Sequence, residues 1–513
     1  MNPSDISNSR RNILKGGSAA VFAAFGGPIA AMAGRVAEAA ECAPAVASTL
    51  AASPYGPIAP VNDLTTGLPL IQLPAGFSYK SYGWVGDTMS DGLPTPSTHD
   101  GMGVVLSRKV GRSTEILLVR NHERSTSTNP ANILGAGRDS VVKHDVGVTG
   151  SNYQTGGTTN LVFRDGNWVE SYASFGGTYR NCAGGSSNWG SWLTNEELLS
   201  NAVSSTGKRH GYIFEVPADT SQEAANADPI VDMGRMAHEA CALDVETGYW
   251  YLTEDQGNAN TLYRFRPHNV NGGLDSLHQG GLLQGLRIKD QPYADMRMPM
   301  LCDEYEVEWA DIANPDLDGA TLASVVGNVT ASGPYRQAYA NGAAIFGATE
   351  GCWVANGTVF FTDKQVTSNP NRAGRIWALD LQSNMLKAIF VSNDITVGNS
   401  PDNLCVSPRG GVVFNEDGSG SGRNAAGQTI IVPAQRLMAL QADGSSYEFA
   451  SNNYNFTAGQ LAAAGKPGRV TGNQRNTEWC GSVFSPDGRV LFANLQSPGL
   501  TVAITGPWAK GTL

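Results

Sequence analysis

Along most of this chain apolar residues come in short runs broken by glycine-centred turns, and stretches with the three-to-four spacing of an amphipathic helix are few. One unit recurs. Cys241-Ala-Leu-Asp244 leads through Gly248 into Tyr249-Trp-Tyr-Leu-Thr-Glu254-Asp255, and Leu404-Cys-Val-Ser-Pro408 leads through Gly410-Gly411 into Val412-Val-Phe-Asn-Glu416-Asp417. Two related copies run from Cys352 through Gly357 to Asp363 and from Ser482 through Gly488 to Asn494. Each reads as a strand, a glycine turn and a second strand, the hairpin that propeller blades repeat. Further hairpins are predicted from Thr159 to Tyr172 about Asp165-Gly166, and from Arg436 across Asp443-Gly444. The prediction is therefore an all-β fold, a β-propeller with inserted loops and short helices, because the spacing between copies is irregular. Tandem β-sandwiches are the competing architecture.

Composition narrows the classes. With 35 Lys and Arg against 46 Asp and Glu the formal net charge is −11, which repels polyanions and argues against nucleic-acid binding. The 61 glycines fit a chain of many tight turns. Seven cysteines without C-x-x-C pairing read neither as a zinc site nor as a disulfide framework, and most are expected as small buried residues.

The N-terminus carries its own message. Ser9-Arg10-Arg11-Asn12-Ile13-Leu14-Lys15 precedes a weakly apolar, glycine- and alanine-rich stretch that ends in Ala37-Glu38-Ala39. This is the pattern of a twin-arginine signal peptide over residues 1–39 with an A-x-A cleavage site. Residues 40–70 then form an N-terminal extension and 71–513 a single catalytic propeller. Cys42 follows Glu41, which does not suit lipid attachment, and no second apolar run is long enough to cross a bilayer. The expected product is a soluble monomer, periplasmic or secreted, that engages the twin-arginine export machinery and has no stable membrane anchor. That pathway carries folded proteins, so a metal can be inserted before export.

The repeated strands end in acidic pairs, Glu254-Asp255 and Glu416-Asp417. Inner blade strands bring their ends to a central channel, and buried carboxylates that converge there call for cations. Carboxylates alone suit calcium, and a thiolate among them suits ferric iron. At surface turns the same pairs would face solvent and bind nothing. His238-Glu239 has no second histidine to complete H-E-x-x-H, so a zinc-protease reading fails and His238 is expected to be structural. Asn314-Pro-Asp316-Leu-Asp318-Gly319 has Val325 where a calcium loop needs a glutamate, and reads as a plain turn.

Ordered motifs along most of the chain carry a resemblance. They include Asp100-Gly101-Met102, Arg120-Asn121-His122-Glu123, Gly156-Gly157-Thr158-Thr159 and the block Arg180-Asn181-Cys182-Ala183-Gly184-Gly185 through Trp189-Gly190-Ser191-Trp192-Leu193-Thr194-Asn195-Glu196-Glu197. His210-Gly211-Tyr212, Met233-Gly234-Arg235, His238-Glu239-Ala240, Thr253-Glu254-Asp255, Glu350-Gly351-Cys352, Pro401-Asp402-Asn403 and Gly506-Pro507-Trp508 follow in order. In these the chain resembles the PhoX alkaline phosphatases. The resemblance implies a six-bladed propeller whose central site holds Fe3+ and Ca2+ and hydrolyses phosphate monoesters without a phosphorylated serine. It places Cys182 at the iron-ligating cysteine, and puts Glu197, Glu254, Glu350, Asp402, Glu416 and Glu478 in motifs that carry metal ligands. Glu350 and Arg180 are the residues expected to act on substrate.

One departure bears on activity. Where the family reads Arg-x-Glu-Gly this chain reads Ala348-Thr349-Glu350-Gly351. A guanidinium there would hold phosphate bidentately, so phosphate recognition falls to another cation such as Arg180 or Lys364, or the substrate differs. The alternative functions are a calcium-dependent hydrolase of another ester or lactone, and a non-catalytic binding propeller held together by metal.

Overall fold

The structure is a computed structural model that describes residues 45–199, 204, 206–218, 226–319, 330–364 and 373–513. The signal peptide over 1–39, its Arg10-Arg11 pair, Cys42 and Val325 lie outside the described residues.

Extended segments dominate, as the short apolar runs require, and among the described residues only Gly333–Ala340 and Ala458–Ala463 are α-helical. The all-β, propeller-like class expected from the sequence is what the chain adopts. Six antiparallel hairpins carry the architecture. Their first strands are His99–Val110, Asn181–Ser186, His238–Asp244, Thr349–Ala355, Pro401–Val406 and Trp479–Phe484. Each pairs with the strand that follows it in sequence. The first strands pack side by side in chain order, and the last packs against the first, around one axis.

The outer strands group differently from the expectation of six separate blades. Hydrogen bonding gives four sheets of six, five, nine and four strands and a further sheet of three, beside two-stranded ribbons. The reason is one bridging strand. Glu304–Ile312 pairs with Gly281–Ile288 on one side and with Met385–Ser392 on the other, so two four-strand sets fuse into the nine-stranded sheet. The chain's ends also meet: Ser78–Tyr82 pairs with Leu500–Thr505, so an N-terminal strand completes the sheet of the last three strands and closes the ring. Ile58–Val61, within the expected extension, pairs with Ile71–Pro74, and that strand pairs with Ser446–Asn452.

Both faces of the strands are buried, because each sheet lies between two others. In Tyr249–Glu254, Trp250 and Leu252 join one apolar cluster while Tyr251 joins another; in Val412–Glu416, Val413 faces one cluster and Val412 and Phe414 the opposite one. That is why these runs read as continuously apolar rather than alternating. Five cysteines are free and buried, as expected of small core residues, whereas Cys302 is disulfide-bonded.

The first strands approach one another closely near the axis. A Cβ built on Gly351 would lie 2.7 Å from the Cα of Asn403 on the neighbouring first strand, an atom that cannot swing aside. Gly351→Ala should therefore lower the unfolding free energy by about 1–3 kcal/mol through overpacking. Urea denaturation of the folded variant checks this, and an unchanged midpoint would show the strands can part.

Candidate metal centre

The hairpins share one irregularity. Register with the partner strand shifts between His99 and Met102, Asn181 and Gly184, His238 and Cys241, Thr349 and Cys352, Pro401 and Leu404, and Cys480 and Val483. Such bulges twist a strand and re-aim its side chains. A shared backbone hydrogen bond aligns the six. The N–H groups of Glu123, Glu197, Asp255, Lys364, Asp417 and Gln496 donate, at 2.8 to 3.1 Å, to the carbonyls of Thr98, Arg180, Ala237, Ala348, Ser400 and Glu478 respectively. Two residues beyond each of these carbonyls stand Asp100, Cys182, Glu239, Glu350, Asp402 and Cys480. Every one of the six is buried and of a metal-ligating type. The residue after each is small or turn-forming: Gly101, Ala183, Ala240, Gly351, Asn403 and Gly481.

These positions converge. Ligand atoms of Asp100, Glu478 and Cys480 lie within 4.8 Å of one another, as do those of Cys182, Glu197 and Glu239, and those of Glu239, Glu350 and Asp402. Gln496 bridges the rim, its Nε2 donating to Asp100 Oδ2 at 3.3 Å and to Glu123 Oε2 at 3.1 Å. Burial and then neighbouring carboxylates raise the acids: Asp402 to about 6, Glu197 to about 8, and Asp100, Glu239, Glu350 and Glu478 well above the ordinary carboxylate range. The Cys182 and Cys480 thiols are pushed up by the same two causes. At such a site a cation and protons compete for the same oxygens. The donor set fits the cations the sequence implied. A thiol beside two carboxylates, as in the Cys182 group and separately in the Cys480 group, suits a ferric ion, and the all-carboxylate group suits calcium.

The sequence-predicted residues divide accordingly. Cys182, Glu197, Glu350, Asp402 and Glu478 are all among the converging groups. Glu254 and Glu416 are not: each is the first member of its acidic pair and is engaged inside its own blade. Glu416 accepts from Arg436 Nε at 2.8 Å and NH2 at 2.7 Å and from the Asn399 N–H at 2.9 Å, which satisfies a fully buried carboxylate. Glu254 accepts from the Tyr263 hydroxyl. Asp255 and Asp417, next along, occupy the rim. Asp363 repeats the pattern on Arg375 at 2.9 Å, and Glu196 does so on His210 at 2.7 Å. Arg180 stands at the mouth, 39% exposed, 2.7 Å from Glu123 and 2.6 Å from Glu197. Lys364 Nζ lies 2.9 Å from Glu350, 3.1 Å from Asp402 and 3.0 Å from Asp417. Ala348 is buried, its N–H bonded to Asp363. His238 is buried with Nε2 on the Gly234 carbonyl, and Asp316 accepts from Arg209 and Tyr212, so neither of these two side chains is a ligand at the axis.

Asp100, Glu239 and Cys480 were missed as ligands. The signal that finds them is the repeated triplet of bulge residue and neighbours: His99-Asp100-Gly101, Asn181-Cys182-Ala183, His238-Glu239-Ala240, Thr349-Glu350-Gly351, Pro401-Asp402-Asn403 and Trp479-Cys480-Gly481.

Fold and site together define an all-β, propeller-like protein with an axial cluster of buried carboxylates and thiols. The family model described as alkaline phosphatase PhoX matches residues 53–499, most of the chain, and the chain belongs to that family. No curated protein matches. Among solved structures, a gluconolactonase from Xanthomonas campestris is 10% identical, with 80% of this chain and 96% of that one covered and a TM-score of 0.34. An aldose sugar dehydrogenase from Streptomyces coelicolor is 13% identical, covers 71% and 98%, and has a TM-score of 0.30. Similarity this weak adds nothing to the functional reading.

Two tests separate struts from ligands. Glu416→Gln leaves Arg436 buried beside a neutral partner and should cost about 3–5 kcal/mol of stability, while the metal content of the folded protein stays at the wild-type level by elemental analysis. The second concerns pH. His210, between Glu196 and Asp145, has burial working against its charge, yet the two carboxylates hold its pKa up at about 10. A raised histidine contributes stability that is complete below its unfolded pKa, near 6.5, and is lost as pH climbs through the folded value. Stability should therefore fall from about pH 6.5 to about 10 through this group, and His210→Gln should flatten that slope in thermal melts taken across the window.

Proposed function

We propose that this protein is an exported, cation-dependent phosphatase acting on phosphate monoesters, and that its six equivalent hairpins count as six blades around the axial site. The observation that carries the reading is the six-fold bulge: each first strand presents one carboxylate or thiol to the same axis, in a chain of the PhoX family. Calcium and ferric iron are the cations this donor set suits, and when bound they would supply Lewis acidity to the phosphoryl group.

The chain's own residues perform the rest. Cys182 with Glu197 and Glu239, and Glu350 with Glu239 and Asp402, would fix the cations and hold them dry, since all of these side chains are buried. Arg180, oriented by Glu123 and Glu197 and half-exposed at the mouth, would meet the anionic end of an incoming ester. Its guanidinium is already shared between two carboxylates, so it offers less to phosphate than an unpaired arginine would. Ala348 offers nothing. The pairing of intact cation ligands with a missing guanidinium favours a phosphatase of low turnover. Were phosphate not the substrate, another ester or lactone would enter the same site. Export as a folded protein, to the periplasm or beyond, is the reading of Arg10-Arg11 and the leader that follows.

The test is p-nitrophenyl phosphate hydrolysis by the full chain loaded with calcium and iron. Hydrolysis should vanish on chelation and return on reloading, and Cys182→Ser should lose iron. Ala348→Arg should raise kcat/KM about 10- to 100-fold, as a charge-assisted contact of roughly 1.5–3 kcal/mol requires. Loaded protein that leaves this ester intact, even with Ala348→Arg, while cleaving a lactone would overturn the phosphatase reading.

A further inference from the structure

At the rim position that donates its N–H to the neighbouring carbonyl, the six hairpins carry Glu123, Glu197, Asp255, Lys364, Asp417 and Gln496. Four are acids, one is an amide, and one alone brings a positive charge. Lys364 does not point its ammonium to solvent. Its side chain is only 20% exposed, and Nζ sits in a tripod of Glu350 Oε1, Asp402 Oδ2 and Asp417 Oδ2 at 2.9, 3.1 and 3.0 Å. Those oxygens come from two first strands and one rim position, the kinds of position that supply every member of the three converging ligand groups except Glu478. The backbone holds the lysine there. Its N–H donates to the Ala348 carbonyl at 2.8 Å, its own carbonyl accepts from Arg375 NH2 at 2.7 Å, and Arg375 is locked to Asp363 within a fully buried pair.

Three carboxylates around one monovalent cation leave two negative charges, whereas the same three around a divalent cation leave one. Three carboxylate oxygens converging on one point is an arrangement a hard cation accepts. From this geometry we propose that the Lys364 ammonium takes the place of one divalent cation, so that the pocket of Glu350, Asp402 and Asp417 is filled by the chain itself and the site binds one metal ion fewer than its acids could hold. The inference rests on the reading of the axis as a cation site.

The full-length chain, saturated with calcium and then freed of excess by gel filtration, gives the test by elemental analysis. Lys364→Gln should retain one more calcium per chain than wild type, and Lys364→Arg, which keeps the charge, should match wild type. Equal calcium in Lys364→Gln and wild type would overturn the proposal. Metal-free wild type with calcium-binding Lys364→Gln would sink the broader cation-site reading and still support this one, whereas calcium in neither would sink both. Should Lys364→Gln fail to fold, acetylation of wild-type lysines read by mass spectrometry decides: an ammonium lodged among the acids stays protected with and without calcium, and one displaced by calcium becomes reactive on loading.

Discussion

Like charges forced together at the axis are the constraint on which the rest of this molecule depends. Among the described residues nine carboxylates, those of Asp100, Glu123, Glu197, Glu239, Asp255, Glu350, Asp402, Asp417 and Glu478, lie at or beside the converging positions, against two cationic side chains, Arg180 and Lys364. Left to themselves they would drive the first strands apart. The strands are instead held by groups that take no part in the site. Asp363 on Arg375, Glu416 on Arg436 and Glu196 on His210 each tie the end of a second strand to its own blade. Apolar packing on both faces of the strands and the pairing of Ser78–Tyr82 with Leu500–Thr505 resist the same outward force. Cations at the axis would convert that repulsion into attraction, so fold and site share one electrostatic problem.

Much of the fold was legible because a blade strand is buried on both faces, and a short, wholly apolar run between glycine turns has few other destinations. The hairpins beginning at Cys241, Cys352, Leu404 and Ser482 were found on that signal and lie where the structure has paired strands. The hairpin at Asn181–Ser186 gives no apolar run, since Cys182-Ala183-Gly184-Gly185 is selected for close approach: a Cβ on Gly185 would meet the Cys241 carbonyl at 2.0 Å. The fusion of two sets of strands into a nine-stranded sheet was illegible for another reason. Glu304–Ile312 pairs with Met385–Ser392 across a long stretch of chain, and nothing local to either strand specifies that partner.

The site was half legible. Acidic pairs at strand ends marked the right places, yet successive residues of an extended strand point to opposite sides, and the pair alone does not say which member faces the axis. The bulge in the neighbouring strand decides, and it turns Asp255 and Asp417 inward while leaving Glu254 and Glu416 to the blade. Glu239 was passed over because His238-Glu239 was weighed against a zinc motif on a helix, whereas its meaning comes from a strand and from five sister positions.

The departure at Ala348 reads differently once the hairpins are aligned. Its carbonyl receives the N–H of Lys364, so Ala348 and the one lysine among the six rim positions are adjacent across a single hydrogen bond. The positive charge at this corner is that of Lys364, the residue just after the second strand, Thr358–Asp363. A charge at position 348 would differ in consequence. A guanidinium at position 348 would be drawn toward a ligand as well as toward Glu350, because it offers five donors in a fixed fork. An ammonium has three donors, and at Lys364 all three carboxylate partners are already within 3.1 Å. A cation so surrounded offsets the negative charge of Glu350, Asp402 and Asp417, so the acidic ring and its counter-charge are built from the same two neighbouring hairpins.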